Sequence, residues 1–139
     1  MAKNTQLANA SVSAEADALG ALMNSGFMDI FDGTQPATAD TATSGQNLLA
    51  TIGFNATAFP AANNGVLTAN PMTACTAANF SNVATWARIF RTNHTTVVMD
   101  VTVGTANTNV ILNSANIQAN AQVSISSFVH TVAKATANL

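Results

Sequence analysis

Apolar positions recur along this chain in two rhythms. Val12, Ala16, Leu19, Leu22 and Met23 return at helical spacing. Ser11 or Ser13 suits the start of such a helix, and Glu15 and Asp17 suit the positive end of its dipole. Gly26 offers the left-handed residue that ends it. The spacing predicts one helix over 12–24, laying a Leu19, Leu22 and Met23 stripe on a sheet or on a neighbouring subunit. Before it, residues 1–10 are mostly polar and read as a flexible arm.

After Gly26 the rhythm shortens. Candidate strands run over 27–31, 48–54, 65–69, 83–91, 95–103, 109–113 and 122–132, punctuated by Gly, Asn, Pro and Asp. Short strands after one helix, with no alternation of strand and helix, predict a mainly β protein. The expected fold is a β-sandwich or jelly-roll with one N-terminal α-helix, built as one domain over 11–139.

The hairpin around Asn93 has two possible registers. On its second strand Val97, Met99, Val101 and Val103 share one face, which must be the buried one. A two-residue loop at Asn93 and His94 opposes Phe90 to Val97 and Trp86 to Val101, and sets Arg88 beside Met99. A loop over 92–94 flips the first strand, so that Trp86, Arg88 and Phe90 form an outward stripe. The first register is preferred because large aromatics dominate core burial. The second would make the stripe an interface.

Composition narrows the function classes. Charged residues are only 7% of the sequence, and Ala, Thr, Asn and Ser fill roughly half of it. A net charge of −2 with four basic residues gives no footprint for a phosphate backbone and no basic face for a membrane surface. Hydrophobic residues at 48% argue for a folded protein rather than a disordered one. A polar, weakly charged surface repels its neighbours little and suits close packing in an assembly. Residues 1–10 lack an apolar signal region, and no run reaches membrane-spanning length, so synthesis in a cytoplasm is expected.

Candidate chemistry is sparse. Asp29 and Asp32 are close in sequence and could serve acid–base work or a hard cation, with Asp40 as a further oxygen donor. The Asp32-Gly33 pair reads more simply as a turn. His94 falls in the hairpin turn and His130 in the last strand, beside Phe128 and Val132. Neither has zinc-ligand spacing around it. Cys75 is the single cysteine and reads as an inert buried thiol. No nucleophile elbow or phosphate loop is present. The reading is a non-enzymatic protein with no catalytic residues, no cofactor and no metal.

A longer pattern adds to this. The order IFDGTQPATADTA from Ile30, then LLATI from Leu48 and AF at Ala58, is followed by WARIF at 86–90 and TVVMD at 96–100. Gly104, NVILN at 109–113 and AQVSISSF at 121–128 complete it. From about Val12 onward this resembles a family of small structural proteins encoded by tailed bacteriophages. In that family the hairpin loop tends to carry glycine, and His94 departs from it. The resemblance implies a virion protein made in the host cytoplasm. Capsid decoration or cement is the leading role, bridging subunits of the major capsid protein, with self-association as a homotrimer. A tail, head–tail or fibre-associated role is the alternative, and a carbohydrate-binding module on the virion surface is a weaker one. The interface residues expected are Leu19, Leu22, Met23, Trp86, Arg88 and Phe90.

Overall fold

The computed structural model describes residues 4–135. One helix, α1 (Asn9–Ala21), precedes nine strands: β1 (Phe27–Phe31), β2 (Leu48–Gly53), β3 (Val66–Thr68), β4 (Asn82–Val83), β5 (Trp86–Phe90), β6 (Val97–Gly104), β7 (Val110–Leu112), β8 (Asn116–Ile117) and β9 (Ile125–Thr131). Seven form one curled sheet in the order β2-β1-β5-β6-β7-β9-β3. Its pairs are antiparallel except β6 with β7. The two-residue strands β4 and β8 pair separately. The fold is mainly β and sandwich-like, with an N-terminal helix.

The curl follows from the segment after β3. Ala69 N–H donates to the Phe128 carbonyl and prolongs the β3–β9 edge. Thr73 then exchanges both backbone hydrogen bonds with Gly53, and Asn79 N–H reaches the Leu49 carbonyl. One connecting segment thus touches both edges of the sheet and covers groups that a free edge would expose. Inside, Phe54, Phe59 and Phe128 meet at centroid distances of 5.7–6.2 Å. Met28, Ile30, Leu49, Ile52, Leu67, Ile89, Val101 and Val110 complete the core around them.

The helix begins earlier than its apolar spacing predicts, at Asn9, with Ala8 as N-cap and no side chain bonded to its free N–H groups there. Val12, Ala16 and Gly20 turn inward four residues apart, which is helical spacing. Gly20 permits the approach, since a Cβ there would lie 3.3 Å from Phe59. Ser13 and Asp17 do not serve the helix start. Ser13 Oγ accepts from Gly65 N–H, and Asp17 Oδ1 accepts from Ala62 N–H. The left-handed residue after the helix is Ser25, at φ 53°, not Gly26. Gly26 is required for another reason. A Cβ there would sit 2.3 Å from the Phe90 carbonyl oxygen.

The expected N-terminal arm is also revised. Within its described part, Leu7 N–H donates to the Lys134 carbonyl and Gln6 bridges Ala135, while Asn9 and Ala10 are already helical. Met1, Lys3 and the residue between them lie outside the described residues.

Candidate functional site

The strand β5 decides the geometry of the face opposite the core. Its loop is neither two nor three residues long. Arg91 N–H bonds the Thr96 carbonyl and His94 N–H bonds the Arg91 carbonyl, which leaves four residues between the paired ends. Asn93 Oδ1 accepts from Thr95 and Thr96 N–H and fills the loop. Phe90 opposes Val97, as the first register requires. A bulge then intervenes, and Ile89 opposes Met99 rather than Val98. From there the faces are those of the other register. Ala87 opposes Val101, Arg88 opposes Asp100 and Trp86 opposes Thr102. The preferred pairing of Trp86 with Val101 and of Arg88 with Met99 is therefore incorrect. The bulge also parts Val97 from the inward set, so Val98 and Met99 pack on the core and Val97 sides with Phe90.

The resulting face is not an exposed stripe. Trp86 is 1% exposed, and Arg88 is buried too. The cross-strand partners Phe27, Asp29 and Phe31 bring their side chains to the same side as Phe90, Arg88 and Trp86. Phe31 stacks on Trp86 at 4.6 Å, and the indole Nε1–H donates to the Asp32 carbonyl at 3.0 Å. Arg88 lies over the indole, 5.5 Å from its centroid, and binds Asp100 through two bonds of 2.7 and 2.8 Å. That bidentate contact holds the Arg88 pKa above its ordinary value against the opposing effect of burial, with the charges of Asp100 and Asp40 adding to it.

The acidic pair splits between two tasks. Asp32 ties the long β1–β2 connection down: its carboxylate accepts from Asn47 N–H, Asn47 Nδ2 and Asn82 Nδ2. The Asn47 bonds are the main reason its pKa lies below the ordinary 3.8. Gly33 next to it sits at φ 73°, so the predicted turn forms. Asp29 instead accepts from Thr51 Oγ1 at 2.8 Å and meets His94 Nε2 at 2.9 and 3.0 Å. The imidazole stacks on Phe27 at 4.4 Å and meets Phe90 edge-on at 5.2 Å. Thr51 donates to the carboxylate and not to the imidazole, so the order nucleophile, base, acid is not built here. Among the described residues no group of three His, Cys, Asp or Glu converges as a metal site would require.

The helix stripe divides. Met23 is fully buried, Leu19 packs partly on the core and Leu22 is 36% exposed. The end of the helical segment reaches the hairpin through Thr92 Oγ1, which donates to the Asn24 carbonyl. A cleft of about 140 Å³ lies beside α1, lined by Asp17, Gly20, Asn24, Phe59 and Pro60. The side-group oxygens Asp17 Oδ1 and Asn24 Oδ1 in it already accept backbone N–H groups. Cys75 is half-buried and donates weakly to the Ala77 carbonyl.

Three exposed apolar residues escape the sequence reading, among them Val129 on β9, which is 39% exposed. Phe80 is 53% exposed and Val83, on β4, is 46% exposed. The only signal for Phe80 is an aromatic isolated among Asn79, Ser81 and Asn82. No helix among the described residues is long and apolar enough to cross a membrane. Comparison with protein-family models, with curated proteins and with solved structures finds no match.

Proposed function

We propose that this protein is a non-enzymatic virion structural protein of a tailed bacteriophage, acting as a capsid decoration or cement protein. The observation that carries the reading is where the few charges go. Asp29, Asp32, Arg88 and Asp100 are spent inside the molecule on turn, strand and hairpin contacts. Glu15, Asp17, Asp40, Arg91 and Lys134 are the exposed charged residues among those described. The remaining surface is mostly Ala, Thr, Asn and Ser, so copies can lie side by side with little repulsion. The sequence resemblance from about Val12 onward supplies the virion context.

The mechanism is mechanical. A curled sheet with tied-down edges resists deformation, and its near-neutral outside docks across joints between major capsid subunits. Threefold self-association fits that placement. Among the described residues, Leu22, Phe80, Val83 and Val129 are the exposed large apolar residues available for docking. With Trp86 buried, Phe80 is the one strongly exposed aromatic among the described residues, a poor platform for a sugar ring, so the carbohydrate-binding reading is the poorer one. Cosedimentation of the purified protein with phage heads stripped of it tests the proposal. Saturable binding supports it, and a protein that stays in the supernatant at all concentrations overturns it.

A further inference from the structure

The only Asn-Gly step in the sequence is Asn64-Gly65, and it forms a two-residue turn between Asn63 and Val66. Asn63 and Val66 exchange both backbone hydrogen bonds at 2.9 and 3.1 Å across it. Asn64 and Gly65 both have positive φ, 52° and 82°, as a type I′ hairpin turn requires. Asn64 is exposed, while Gly65 is buried and held on three sides. Its N–H donates to Ser13 Oγ of α1 at 3.1 Å, and its carbonyl accepts from Val132 N–H at 2.9 Å. A Cβ at Gly65 would lie 2.9 Å from Val12.

We propose that Asn64 is a latent self-modification site, a deamidation site gated by the Ser13 hydroxyl. In the reaction the Gly65 nitrogen loses its proton and bonds to Asn64 Cγ. The bond between Cγ and Nδ2 of Asn64 breaks, ammonia leaves with the proton, and a succinimide ring remains. Water then opens either ring carbonyl, giving aspartate or isoaspartate at position 64. The protein and water are the only reactants. In the closed fold each requirement is opposed. An amide nitrogen that loses its proton forfeits the bond it donates to Ser13 Oγ. The turn must also rotate to bring nitrogen to Cγ, and Val12 and the Val132 N–H contact hold it still. Lifting α1 from the hairpin releases the Ser13 bond and the Val12 contact together, leaving only the Val132 contact beyond β9. The product adds a carboxylate to a sparsely charged surface, and isoaspartate inserts a methylene into a two-residue turn.

The test is the time course of the amide-to-acid mass change at Asn64 in mildly alkaline buffer. Folded wild type, wild type in urea, Ser13→Ala and Ser13→Thr are compared. The folded wild type should react far more slowly than the urea-unfolded protein. Ser13→Ala should raise the folded rate about fivefold, the population shift that one lost hydrogen bond gives. Ser13→Thr, which keeps the hydroxyl, should retain the slow rate. Among the folded samples, Asn24-Ser25 and Asn113-Ser114 serve as internal references and should react alike in wild type and in both Ser13 variants. An unaltered rate in Ser13→Ala, equal rates with and without urea, or a parallel rise at the reference sites would each overturn the gating.

Discussion

His94 and Asp29, 65 positions apart in sequence, are joined through their side groups: the imidazole Nε2 lies 2.9 and 3.0 Å from the two carboxylate oxygens. The contact pins the β5–β6 turn onto β1. It also holds His94 at a positive φ of 54°, where a glycine would sit without cost. His94→Ala leaves the buried Asp29 carboxylate with Thr51 Oγ1 as its remaining hydroxyl donor. Because the imidazole is 37% exposed, the coupling should be modest, about 1 kcal/mol in a double-mutant cycle with Asp29→Asn. Denaturant unfolding of the four proteins reads it. A coupling of zero would mean that Phe27 stacking alone holds the turn.

Trp86 and Arg88 form a second, smaller core outside the curl. Trp86→Ala should cost about 3–5 kcal/mol, as a buried aromatic does. Trp86→Phe keeps the stacking on Phe31 but loses the bond to the Asp32 carbonyl, and should cost about 1 kcal/mol for that bond. Arg88→Met strands Asp100 and should cost about 3–5 kcal/mol, most of it recovered when Asp100 becomes Leu as well. Melting curves of these variants check the assignment. A Trp86→Ala protein as stable as wild type would contradict it.

Gly26 tests the backbone geometry. Where a Cβ would stand, the Phe90 carbonyl oxygen is 2.3 Å away, a backbone atom that cannot swing aside. Gly26→Ala should therefore destabilise by about 3 kcal/mol or more, at the upper end of ordinary substitutions. Gly45, with open space around its Cβ position, offers the contrast. Its positive φ of 85° leaves only a conformational cost of about 1 kcal/mol for Ala. Equal losses in the two variants, read by denaturant unfolding, would contradict the crowding at Gly26.

Acid should loosen the fold in two stages. Burial holds the His130 pKa below its ordinary 6.5. Its contribution is complete above that value and is lost as pH falls through the lower, folded-state value, because the unfolded state binds the proton first. Asp32, held below 3.8 mainly by Asn47, behaves likewise in its own range: its stabilisation is present above 3.8 and disappears as pH falls through the folded-state value. Melting temperature against pH should show both declines, and His130→Gln should remove only the upper one. An unchanged upper decline in that variant would contradict the assignment.

Much of the scaffold is written in the apolar rhythm. The strands Phe27–Phe31 and Leu48–Gly53 and the last strand follow from it directly. Three features do not. The bulge at Val98 adds one residue without any Gly or Pro to mark it, and it reverses every face on β5. The strands β4 and β8 pair over two residues each, too few to show a period. The β1–β2 connection reads as a polar loop, yet Asp32 and Asn47 anchor it beside Trp86. The run of Trp86, Ala87, Arg88, Ile89 and Phe90 did hold a hint. A strand with no clean alternation is covered on both faces, which is what Trp86 and Ile89 show. The His94–Asp29 contact had no local signal, since nothing near either residue names the other.

The most direct test of the capsid role is the copy number of this protein in purified phage particles, counted by quantitative mass spectrometry against the major capsid protein. A decoration protein covering the shell predicts comparable copy numbers for the two. A handful of copies per particle would place it at the tail, the portal or the fibres, and its absence from the particle would contradict the virion role altogether.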